Sequence, residues 1–174
     1  LQRGAIQLAL LALLAGYQIA LCLDGERAFY DGTRVEARAW LREHRDPEIP
    51  IWADYYSVDV VAGMPNVHAI RHIGPSPRPT YTVPHYFVVH QATYGRYFTG
   101  DSCASIQHCL GGDSVREFFL RLLDGEATGY RRVHTAAPGY AMPEHRLLGH
   151  MVATHPFGEV GTILIFRYDP ARGR

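Results

Sequence analysis

Residues 4–23 read GAIQLALLALLAGYQIALCL, twenty positions without a formal charge, broken only by Gln7 and Gln18. Asp24, Gly25, Glu26 and Arg27 follow, where the chain is expected to return to water. At about 1.5 Å of rise per residue, a helix of this length spans about 30 Å, the thickness of a bilayer's hydrocarbon core. Leu and Ala dominate the run, and both are strong helix formers. Three other readings compete with a transmembrane helix. A cleavable signal has an apolar core of about 7–15 residues and a small-x-small cleavage site, and no such site precedes Asp24. A lipoprotein signal would use Cys22, but Leu21 stands where a small residue is needed. A buried helix of a soluble protein is usually shorter and carries a polar stripe. A span accounts for the run best: residues 1–25 are expected in the membrane and 26–174 in one separate folded unit. Arg3, the basic residue ahead of the run, puts everything after residue 25 on the extracytoplasmic side. The chain opens at Leu1, and we expect the span to be the last of a longer multi-pass cell-membrane protein.

Beyond the run, helical and extended patterns alternate. Thr33-Arg34-Val35-Glu36 has the form of a capping box, with the threonine hydroxyl accepting from a free backbone N–H and the glutamate reaching back to the cap. Ala37, Trp40, Leu41 and His44 then recur on one face until Pro47 ends the helix. Ile49–Tyr56 reads as a buried strand, Ser57–Ala62 as a short helix and Val67–Ile73 as a second strand. Four prolines between 74 and 84 predict a loop. Tyr86–His90, centred on Phe87, Val88 and Val89, has the pattern of a central strand covered on both faces. A second capping box, Ser114-Val115-Arg116-Glu117, opens a helix with Phe118, Phe119, Leu122 and Leu123 on its apolar face and Gly125 at its end. Tyr130–Ala136 and Val160–Tyr168 close the chain as strands. The fold class expected is α/β: one N-terminal transmembrane helix followed by a small mixed-sheet sandwich whose last two strands can run antiparallel.

The chemistry is narrowed mainly by exclusion. Seventeen basic residues balance seventeen acidic ones, which gives no reason to expect a nucleic-acid partner. Every basic residue is an arginine, so Schiff-base chemistry and a phosphate-loop lysine are impossible. Elbow, dinucleotide and zinc-protease motifs are absent from the sequence. Ten histidines raise the question of a metal, but His68 and His72 lack a third ligand, and His145, His150 and His155 recur every fifth residue, on different faces of either regular structure. No metal and no cofactor is expected in this segment. Cys103 and Cys109 lie in a glycine-rich stretch that lets the sulfurs meet, so they are a disulfide candidate in an oxidising compartment and free thiols otherwise. Asp54, Tyr55 and Tyr56 form the best-placed polar cluster, because ligands gather at the carboxyl ends of strands in α/β sheets. Packing and hydrogen bonding of strand-end tyrosines is the plainer alternative.

A terminal apolar helix, then Thr33-Arg34-x-x-Ala37-x-x-Trp40, then Pro50-Ile51-Trp52-Ala53-Asp54-Tyr55-Tyr56, resembles the C-terminal end of multi-spanning glycosyltransferases of the protein mannosyltransferase and aminoarabinose transferase type. Tyr86-Phe87-Val88-Val89, Tyr94-Gly95-Arg96-Tyr97, Tyr130-Arg131-Arg132-Val133 and Ile163-Leu164-Ile165-Phe166-Arg167 continue the likeness, while Gly32 separates Asp31 from Thr33 where the family joins them. The resemblance implies transfer of a sugar from a polyprenyl-phosphate carrier to an acceptor outside the cytoplasm. It implies that the catalytic acids lie upstream, so none is assigned here, and that bilayer, donor and acceptor are met through the membrane part. The alternative is a single-span, membrane-anchored domain that binds a ligand or partner without catalysis.

Overall fold

The computed structural model describes residues 2–30, 32–70, 83–95, 97–98, 112–127, 129–145 and 161–173. Helix α1 covers Gln2–Tyr30 and α2 Thr33–His44. Strand β1 is Ile51–Asp54, β2 Val67–Ile70 and β3 His85–His90, followed by the short helix α3, Gln91–Gly95. Helix α4 is Gly112–Asp124, β4 Tyr130–Ala136 and β5 Ile163–Tyr168. The strands form one sheet in the order β2-β1-β3-β5-β4, with β1 parallel to both β2 and β3, and β5 antiparallel to both β3 and β4. The α/β architecture and the mixed sheet agree with the sequence pattern.

Alternation of side chains across the pleat gives the sheet two buried faces. Ile51, Ala53, Val88, Ile163 and Ile165 pack with Ala37 and Leu41 of α2 on one side. Phe87, Val89, Leu164 and Phe166 pack with Val115, Phe119 and Leu122 of α4 on the other. All six residues of β3 are buried, because β3 is central and covered on both faces.

Several local expectations need correction. Thr33 does not cap α2: Gly32 occupies that position without a side-chain bond, and the buried Thr33 hydroxyl instead donates to Gly161 O at 2.8 Å. Glu36 points away from the cap, 3.2 Å from His134 Nε2, and the His134 ring stacks on Trp40 at 5.0 Å. Tertiary partners on β4 and just ahead of β5 thus take the groups that the local motif would have used. The strand expected to run to Tyr56 stops at Asp54, where a 3-10 turn, Tyr55–Ser57, begins and is followed by further turns in place of a helix over 57–62. Ser114 lies inside α4 rather than at its start, and the start is Gly112. Gly125, at φ +79, ends α4 as expected.

Asp24 does not return the chain to water. Helix α1 runs on to Tyr30, and the Asp24 carboxylate is buried, accepting from the N–H groups of Ala141 (2.8 Å) and Met142 (3.0 Å) and from His145 Nδ1 (2.8 Å). Tyr17 adds a hydroxyl donated to Glu144. The segment 141–145 is thereby fastened to the end of α1. The body of the helix is uncovered: the stretch Gly4–Arg27 has a mean hydropathy of 2.0, and none of its apolar window is buried.

At the other end of the sheet, Gly129 enters β4 at φ +82, and a Cβ there would stand 2.6 Å from the Tyr168 ring. The left-handed backbone and the clash act together, so Gly129→Ala is expected to lower stability by about 2 kcal/mol, read as a shift of the denaturant midpoint at unchanged slope.

Candidate functional site

Strands β1 and β3 are parallel neighbours inside the sheet, so Asp54 and His90 sit side by side at their carboxyl ends. The chain leaves β1 for β2 on one side and comes back to β3 on the other. This divergence makes the crevice in which α/β sheets collect ligands.

Asp54 is 1% exposed. Its Oδ2 accepts the His90 N–H at 3.0 Å and the hydroxyl of Thr93. Burial raises its pKa to about 6, although Ser57, Thr93 and the His90 N–H all favour the ionised form. His90 is fully buried, and its Nδ1 accepts the Ala92 N–H at 3.0 Å. That bond assigns the proton of the neutral ring to Nε2. Burial, with a smaller contribution from the Arg34 charge, lowers the His90 pKa to about 4. Tyr94 is held as a phenol, its pKa raised to about 12 mainly by burial. Gln91 ties the cluster to the start of β5, giving its N–H to Thr162 O at 2.8 Å and accepting the Thr162 N–H at 3.0 Å.

Among the described residues, Asp54 Oδ1 and Ser57 Oγ are buried beside one another with no further partner, and His90 Nε2 is buried without a hydrogen bond. Each such atom costs about 1–3 kcal/mol unless a water or ligand atom meets it. The set offers one acceptor, one N–H donor and one hydroxyl able to serve as either. A carboxyl titrating near pH 6 beside a neutral imidazole is suited to proton exchange with a hydroxylated ligand in mildly acidic surroundings.

Of the three residues singled out in the sequence, Asp54 is the centre of this cluster. The Tyr56 ring stands 6.2 Å from that of His90, whereas Tyr55 is 67% exposed and meets Tyr56 edge-on at 5.3 Å. Cys103, Cys109, His72, His150 and His155 lie outside the described residues, and Cys22 is an exposed free thiol on α1. Ser57, His90 and Thr93 were not singled out. The sequence hints at the burial of His90, which closes the strand centred on Phe87, Val88 and Val89, but not at its pairing with Asp54. No protein-family model, curated protein or solved structure matches the chain.

Proposed function

We propose that this chain is the C-terminal, extracytoplasmic domain of an integral-membrane glycosyltransferase that moves a sugar from a polyprenyl-phosphate carrier to an acceptor, with the catalytic residues upstream. The observation that carries this reading is α1: an apolar helix long enough to cross a bilayer, with its sides uncovered, stands three residues ahead of a folded α/β unit. An exposed apolar surface of that size needs a cover, and lipid supplies one along the whole helix. The sequence motifs then point to the transferase type. An enzyme with a lipid-borne donor works at the membrane surface, and a unit joined to the end of α1 through Asp24 would stand close enough to cap the site or to meet the acceptor. Asp54 and its neighbours would then be a recognition feature rather than the catalytic acids.

Membranes from cells expressing the complete reading frame are expected to transfer radiolabelled sugar from a polyprenyl-phosphate donor. Removing residues 33–174 is expected to lower the rate at least about tenfold while leaving membrane insertion intact. No donor turnover by the intact protein would overturn the reading. The second reading, an anchored binding domain, is favoured by the buried, unpartnered His90 Nε2 beside Asp54 and predicts ligand binding with no turnover.

A further inference from the structure

Antiparallel pairing of β4 with β5 sets Arg131 directly opposite Arg167, and both side chains are exposed. Directly opposed like charges destabilise a sheet unless something lies between them. Both residues line a pocket of about 220 Å³ together with Gly129 and Asp169. Among the described residues neither guanidinium has a hydrogen bond or an ion pair; Arg167 makes a cation–π contact instead, 5.9 Å from the centre of the Tyr86 ring. The carboxylate of Asp169 is turned to the following turn, where Oδ1 accepts the Ala171 N–H at 3.0 Å. The pocket floor is stiff, because the Asp169 N–H bonds Gly129 O at 2.9 Å and Gly129 abuts Tyr168.

We infer that this pocket binds a phosphate group, either inorganic phosphate or the phosphoryl end of a small soluble phosphomonoester. Two planar donor forks from adjacent strands match a tetrahedral dianion, whose several oxygens serve both, better than a carboxylate, which one fork saturates. The volume admits a phosphoryl group and a few further atoms, less than a drug-sized molecule needs. A lipid headgroup offers the same chemistry. Position argues for the soluble source: α2 begins against Gly161, before β5, and the pocket lies at the far end of that strand, about 20 Å away at about 3.4 Å per residue. The inference is independent of the transferase reading.

The test titrates inorganic phosphate against chloride at constant ionic strength, with the intact chain in zwitterionic lipid nanodiscs, and follows thermal stability and phosphorus line broadening. Saturable binding is expected, weakened about tenfold by either Arg131→Gln or Arg167→Gln and strengthened by Asp169→Asn. Both arginines are exposed, so these variants are expected to keep the native fold. Repeating the titration in anionic nanodiscs is expected to give the same affinity. Equal responses to phosphate and chloride, arginine variants that bind normally, or block by anionic lipid would each overturn the inference.

Discussion

Raising the pH from about 4 to about 6.5 is expected to widen the stability gap between Asp54→Asn and the native chain by about 3 kcal/mol in the variant's favour. The opposite change is expected for His90→Asn, which falls behind the native chain by a similar amount over the same window. The sign follows from proton linkage. The Asp54 pKa rises from 3.8 to about 6 on folding, so the native state holds this proton more tightly and stability drains away as pH climbs through that interval. The His90 pKa falls from 6.5 to about 4, so its contribution is complete above 6.5 and is lost as pH falls toward 4. About 1.4 kcal/mol per pH unit gives each residue close to 3 kcal/mol, and in the native chain the two contributions nearly cancel. Asn keeps an acceptor at each position, for the Thr93 hydroxyl in one variant and for the Ala92 N–H in the other. Urea melts at half-unit pH intervals measure both gaps. Curves that run parallel to the native one across the window would show that the two groups titrate in the fold as they do in water.

The same pair shows what sequence can carry. Asp54 could be marked at the end of a strand because Ile51, Trp52 and Ala53 announce a buried run before it. Its partners could not, since His90 and Thr93 are brought to it only by the parallel pairing of β1 with β3. That register is a tertiary fact. Thr33 makes the same point in reverse: four residues spell a capping box, yet the hydroxyl bonds Gly161, distant in the chain, because the buried hydroxyl and the carbonyl beside it satisfy one another. Strong periodicity survived such competition. Of the apolar face expected on α4, Phe119 and Leu122 are buried and Phe118 and Leu123 half-buried, with Val115 added to it, and Tyr130–Ala136 forms a strand over its full predicted length. Short apolar stretches bounded by polar residues were less informative, as the turns after Asp54 show. Asp24 was misread because a carboxylate ending an apolar run is ordinarily solvated, and nothing local reveals that Ala141, Met142 and His145 will reach it.

The largest effect is expected at α1. Leu11 and Leu14 lie at its middle and are 64% and 61% exposed, touching no core of the folded unit. Replacing both by arginine puts two charges at the centre of a bilayer span, at about 3 kcal/mol each. The combined change of about 6 kcal/mol shifts the membrane partition by about four orders of magnitude, at 1.4 kcal/mol per decade. The 174-residue chain should therefore move from the carbonate-resistant membrane pellet to the soluble fraction. Its α/β unit should still unfold in one transition at the native denaturant midpoint, because the sheet and its two cores take nothing from that part of α1. A core helix of a soluble protein behaves the other way: buried leucines changed to arginine would unfold the whole unit, with no membrane pool to lose. The two readouts thus separate the possibilities even if the variant is produced poorly, since the midpoint is measured on whatever folds. Recovery of the native chain in the soluble fraction, or a collapse of the α/β transition in the double variant, would place the helix inside protein and remove the ground for a membrane transferase.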